Sequence, residues 1–273
     1  MAAIVHSGTE TASQSGRPRW KAPDTAPMIG ETAGAAAESD MQAFHIPVFD
    51  AVALVVYLAG WFGYSLYADR LALARRPVAV VMNDYRLRWM ERMLERENRM
   101  PDVNITVSFV RAGQMFASTT ILLMAGSLAM LGQIDSVREI IAGLPFGRPA
   151  ARGLMEIQLI ILTAVFVFAF FKFLWAVRLF NNMLVLLGAA PQPGDCDDDI
   201  KRQYPQHMAR FLQRAQHNLN LGTRAYAFGL GFLPWFLHPA FLIASTVIVI
   251  AMLHRRDFRS LSLKALEDLR EHH

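Results

Sequence analysis

Residues 157–190, IQLIILTAVFVFAFFKFLWAVRLFNNMLVLLGAA, form one of the longest apolar stretches of the chain, yet AFFKFLWAVRLFNN (169–182) within it carries a lysine, an arginine and two asparagines. An unpaired charge in hydrocarbon costs about 2.5–3.5 kcal/mol on insertion scales. A run long enough to cross a bilayer that still keeps such charges poses the question of fold and of function together.

Crossing the hydrocarbon core takes about 20 apolar residues in a helix. Four segments meet this: Val48–Tyr67, Gln114–Gln133, Ile157–Val177, which extends to Gly188 if the helix runs on, and Ala227–Leu253. The 273 residues are 53% hydrophobic and 18% charged, against roughly 25% charged in soluble domains. The reading is an all-α integral membrane bundle of four transmembrane helices. Its single cysteine, Cys196, excludes an internal disulfide framework and any multi-cysteine metal site.

Residues 1–43 are rich in Ala, Gly, Ser, Thr and Pro, with Arg17, Arg19, Trp20 and Lys21 as the bulky or basic exceptions. Such a segment buries too little apolar surface to fold and is expected to be a disordered tail without a signal peptide. The membrane domain is expected over 44–260, with a short C-terminal tail over 261–273.

Between the first two spans, Asp69 to Arg111 holds nine arginines and no lysine. In YRLRWMERMLEREN (85–98), Leu87, Met90 and Leu94 recur at helical spacing while the charges take other faces. This predicts an amphipathic helix between spans 1 and 2. It would lie on the membrane surface with Trp89 at headgroup depth, or as a solvated helix packed on its neighbours.

Basic residues near span ends set orientation. Nine lie between spans 1 and 2, and Lys201, Arg202, Arg210, Arg214 and Arg224 lie between spans 3 and 4. The opposite side carries Arg138, Arg148 and Arg152, the distant three basic residues of the N-terminal tail, and five after the fourth span. With four spans in a bacterial inner membrane, this puts both loops in the cytoplasm and both termini in the periplasm, although HRRDFRS (254–260) argues the other way.

At 100° per residue, Lys172, Trp175, Arg178 and Asn182 share one face of the third span, and Asn181 points elsewhere. One explanation is snorkelling, with aliphatic stems running to cytoplasmic headgroups beside a belt tryptophan. The other is a polar site. Asn220, Arg224 and Tyr226 enter the fourth span on the same side, and Arg111 begins the second, so the cations outnumber the one carboxylate at equal depth, Asp69. An anion, such as a phospholipid headgroup, would complete that set, with Trp175 and Tyr226 flanking it. Ser118, Thr119 and His238 are candidates for helix packing or a polar path. Pro234 and Pro239 are expected to kink the fourth span, with His238 supplying a donor to the freed carbonyls.

Several strings together carry a family resemblance: RWMERMLERENRMPD (88–102), MFASTTILLMAG (115–126), LGQID (131–135), AFFKFLWAVRLFN (169–181), LLGAAP (186–191), NLGTRAYAF (220–228), WFLHP (235–239) and RRDFRS (255–260). They resemble the bacterial membrane family catalogued as domain of unknown function 599, from about Phe49 to Ser260. The resemblance implies a multi-helix membrane protein and no particular reaction. It points to FAST at Phe116–Thr119, to Lys172, Trp175, Arg178 and Asn181, and to Asn220, Gly222, Arg224 and Tyr226. Met100-Pro101 departs from the small aliphatic residues of similar sequences.

The sequence holds no glycine-rich phosphate loop, HExxH, CxxC or GxSxG, and DCDDD (195–199) lacks the spacing and turn glycine of a calcium loop. The reading therefore points away from an enzyme, from a cofactor or metal, and from nucleic acid. Expected partners are the bilayer and anionic phospholipid, a membrane-protein partner, or a second copy of the chain. A structural or assembly role leads; a small transporter or channel for an anionic or polar solute, built as a homodimer, is the alternative.

Overall fold

The computed structural model describes residues 47–74, 78–145, 147, 150–194 and 197–258, with side chains at all of these positions other than 69–74 and 78–80. The two expected tails, and the side chain of Asp69, lie outside the described residues. Among the described residues seven α-helices follow in order: α1 Val48–Ala74, α2 Val78–Leu94, α3 Met100–Gly132, α4 Ile134–Ala142, α5 Arg152–Gly188, α6 Asp198–Phe232 and α7 Pro239–Phe258. A 3₁₀ turn, Leu233–Phe236, separates the last two. Four helices are long and apolar enough to cross a membrane: α1 over Val48–Ala68, α3, α5 and α7.

Two of them outrun a bilayer. α5 has 37 residues and α3 has 33, about 55 and 50 Å, against a core of about 30 Å. No proline interrupts α5 between Arg152 and Gly188, and Pro191 and Pro193 follow its end. α3 starts well before the apolar run because Asn98 accepts the Met100 N–H at 3.0 Å and Pro101 sits in the first turn, where its missing N–H costs nothing. That is the local role of the Met100-Pro101 pair.

The apolar stretch 227–253 is not one kinked helix. α6 already begins at Asp198 and stops at Phe232, and α7 opens on Pro239. Ser245 Oγ donates to the Gly231 carbonyl, and a Cβ built on Gly231 would meet Val249 at 2.8 Å, so α7 runs back antiparallel to α6. His238 does not serve a freed carbonyl; its Nδ1 accepts the Ala240 N–H at 3.1 Å and caps the new helix.

α3 lies antiparallel to α5. Phe116 stacks on Phe173 at 5.3 Å, Phe109 meets Phe180 at 5.5 Å, and Ser127 and Thr163 share a 2.8 Å hydrogen bond. α5 lies antiparallel to α6, where Gly222 faces Phe173 and Gly229 faces Phe166; a Cβ on either would come 2.6–2.7 Å from ring carbon. Between spans in lipid, such contacts stabilise by close packing rather than by release of water.

α1 runs antiparallel to α6: Tyr57 Oη donates to the Phe228 carbonyl at 3.1 Å, and Trp235 Nε1 to Asp50 Oδ1 at 2.8 Å. It runs parallel to α7, with Phe49 against His238 at one end and Tyr67 against Phe258 at the other. The start of α1 and the end of α7 therefore lie at opposite ends of the bundle.

Beyond the end of α1, α3, α5 and α6 continue as a helical extension joined by α2. The apolar edge of α2 is covered by protein. Met90, Met93 and Leu94 are buried in one cluster with Met208, Leu212 and Ala215 of α6. Each such side chain removed from water contributes about 1.5–3 kcal/mol. Asp102 is fully buried and takes both the Trp89 Nε1–H and an Arg96 guanidinium N–H at 2.6 Å. Arg99 donates to the carbonyls of Ala190 and Pro191, tying the α2–α3 loop to the turn after α5.

Candidate functional site

The cations of the opening stretch lie on the outer face of α5. Its inner face is fixed by Phe166, Phe173, Phe180 and Met183, all fully or almost fully buried, which turns Phe171, Leu174, Trp175 and Arg178 outward at helical spacing. Lys172 Nζ lies 5.4 Å from the centre of the Phe168 ring, and the Arg178 guanidinium 5.6 Å from that of Trp175, itself half exposed. Both are cation–π pairs on the bundle surface. Neither cation has a carboxylate partner among the described residues. Asn181 and Arg111 are exposed as well, and helix register puts Arg111 level with Arg178, because Gly113 packs on Val177.

Arg224 faces the other way. It donates to Asp257 Oδ2 at 3.3 Å, and its guanidinium lies 5.7 Å from the Tyr64 ring centre. Tyr64 Oη donates to the same oxygen at 2.9 Å, and Arg256 Nε to Oδ1 at 3.0 Å. With the Arg224 and Asp257 side chains 12% and 16% exposed, this knot joins α1, α6 and α7. The structure thus divides the expected set in two: Lys172, Trp175 and Arg178 outside, Arg224 inside.

The other expected residues take separate places. Tyr226 sits edge-on to Phe116 and Phe166 between α3 and α5. Asn220 is partly buried, and its carbonyl accepts Thr223 Oγ1–H at 2.9 Å. Ser118 and Thr119 are exposed, and Thr119 Oγ1 donates to the Met115 carbonyl. His238 lies at the far end from Lys172, beside Phe49.

Sequence reasoning missed Asp257 and Tyr64. Asp257 was visible inside HRRDFRS, but it lies 33 residues from Arg224, and only the reversal at Leu233–Pro239 brings the two together.

The two ends of the bundle differ in charge balance. At the end near α4, Arg152 pairs with Asp135 at 3.0 Å and Glu156 at 3.1 Å, and Arg138 lies 3.9 Å from Asp135. At the other, Arg111, Lys172, Arg178, Arg210 and Arg214 have no carboxylate partner among the described residues.

In the extension, Tyr204 Oη donates to the Leu186 carbonyl at 2.8 Å. Burial pushes its phenol above the ordinary tyrosine value, and nearby Arg99 offsets part of that.

Four helices long and apolar enough to cross a membrane fit the helical-bundle class of membrane protein. The sequence profile of the family described as protein of unknown function, DUF599, matches residues 52–262. The chain belongs to that family. Neither the curated proteins nor the solved structures contain a match.

Proposed function

We propose that this protein is an inner-membrane helical module that binds anionic lipid headgroups through Lys172 and Arg178 and serves a structural or assembly role. The observation that carries this reading is the outward pairing of Lys172 on Phe168 and Arg178 on Trp175, with no carboxylate partner among the described residues. A cation resting on an aromatic at the bilayer boundary keeps its donors free for phosphate, Arg through its planar fork and Lys as a point charge. Fully buried rings of Tyr57, Phe166, Phe173, Phe228 and Phe232 occupy the interior of the spans, which favours a binding role over a transport path.

The unbalanced cations support, by the positive-inside rule, a reading in which the extension faces the cytoplasm. The expectation of two periplasmic termini rested on four crossings. Reading the second half of α6, which lies antiparallel to α1, as a fifth crossing beside the four apolar spans puts the N-terminal side of α1 in the periplasm and the C-terminal end of α7 in the cytoplasm, where Arg255 and Arg256 join the same basic end.

Native mass spectrometry of protein extracted gently with endogenous lipid tests the reading. Lys172→Gln/Arg178→Gln should lower retention of anionic phospholipid at least fivefold, whereas Arg92→Gln on exposed α2 should leave it unchanged. Equal retention by both variants would overturn it.

A further inference from the structure

A half-open groove of about 270 Å³ lies where α5 and α6 meet in the extension. Its floor is Leu186, Tyr204, Met208 and Phe211, and its rim is His207, Arg210 and Arg214. The rim residues are exposed, and neither arginine has a carboxylate partner among the described residues. Spaced i, i+3 and i+7, the three lie within about 60° of one another around α6. From Tyr204 to Arg214 the groove runs about 15 Å along the helix, the length of nearly three helical turns.

With Lys172 at the bilayer boundary, as the proposed function has it, bilayer lipid does not reach this site. Leu186 lies fourteen residues beyond Lys172 on the unbroken α5, about 21 Å farther along the axis. The occupant must come from the aqueous side, present apolar side chains to a floor of Leu, Met and Phe, and carry carboxylates opposite a row of cations. An extended anion such as nucleic acid would leave that floor unused.

We propose that the groove is a docking surface for an acidic amphipathic helix of a partner protein. Apolar side chains of the partner enter between Leu186 and Phe211, while its acidic residues, on successive turns, meet Arg210, Arg214 and His207, the helix-in-groove mode of recognition. The methionine on the floor adapts to differently shaped apolar groups. The inference uses residues distinct from the lipid-binding pair.

The test uses the full chain in nanodiscs of neutral lipid and a fluorescent 18-residue peptide with Leu at i, i+3, i+4 and i+7 and Glu elsewhere, followed by anisotropy. The peptide should bind, and Arg210→Glu/Arg214→Glu should weaken it at least tenfold. Lys172→Gln/Arg178→Gln should leave binding unchanged, separating this idea from the lipid reading. A peptide with Lys in place of Glu should fail to bind. Wild-type binding by the Arg210/Arg214 variant, or by the Lys peptide, would overturn the proposal. So would complete displacement by anionic vesicles, which would make the groove a membrane-surface site. Binding seen only after the chain is shortened to Phe258 would assign the groove to the chain's own C-terminal residues instead.

Discussion

The α5–α6 packing makes one substitution, glycine to alanine, act with opposite sign at different positions. At Gly222 a new Cβ would come 2.6 Å from Phe173, a ring that is itself fully buried and stacked on Phe116. The ring cannot withdraw without moving α3. Overpacking of this kind costs about 1–3 kcal/mol, offset by the 0.5–1 kcal/mol that Ala gains over Gly in a helix, roughly. At Gly126 of α3 a Cβ meets nothing within 4 Å, so only the gain remains. Gly222→Ala should therefore be less stable than Gly126→Ala by about 1–3 kcal/mol, a difference of several degrees in thermal unfolding. Detergent-solubilised protein followed by tryptophan fluorescence on heating would read it. Adding Phe173→Leu should restore part of the loss in Gly222→Ala and only destabilise the wild type, giving a coupling of about 0.5–3 kcal/mol. If Gly222→Ala and Gly126→Ala melt together, the α5–α6 register described above is wrong.

Asp257→Asn removes the charge and replaces one of the two oxygens that accept from Tyr64, Arg224 and Arg256 with an NH2 group; loss of charged hydrogen bonds there should cost about 1.5–3 kcal/mol, read as lower thermal stability, and an unchanged melt would argue against the knot. Asp102→Ala takes the acceptor from the Trp89 indole and releases an Arg96 guanidinium that water already reaches, so unfolding by denaturant should come earlier by about 1–3 kcal/mol with a shifted tryptophan emission maximum; a wild-type spectrum would refute the contact. A reporter active only in the cytoplasm should be active after His273, and one active only in the periplasm should be active ahead of Val48; both termini on one side would remove the fifth crossing, and the reverse pattern would invert the orientation.

Much of this architecture could be read from the chain because membrane spans are dictated by local composition: an apolar run of sufficient length must be helical where no water can satisfy its backbone. α1, α3 and α5 follow that rule. The last run misled because hydropathy averages over direction. Ala227 to Leu253 is as apolar as a single span, and what divides it is chemistry at Pro234 and Pro239, legible as a break only once Gly231 and Val249 are seen facing each other. The polar half of α6 hid its approach to the bundle, since Asn220 and Arg224 look like loop residues until Tyr64 and Asp257 accompany them. The Lys172–Trp175–Arg178 face was legible as one face, but its outward direction depends on which residues Phe116 and Gly222 claim from the other side of α5. α2 showed its apolar edge in sequence, and its cover on α6 came from Met208 and Leu212, over a hundred residues away.

The unbroken length of α5 has a mechanical consequence. On the proposed reading, in which the first part of this 37-residue rod is seated among lipid tails, it acts as a lever with its fulcrum near Lys172. Helices tilt to match the thickness of the surrounding bilayer, and a change of 10° would swing a point about 21 Å beyond the fulcrum sideways by about 4 Å. Since α3 and α6 are packed along the same rod, they would travel with it, and the groove at Leu186 would report bilayer thickness to whatever binds there.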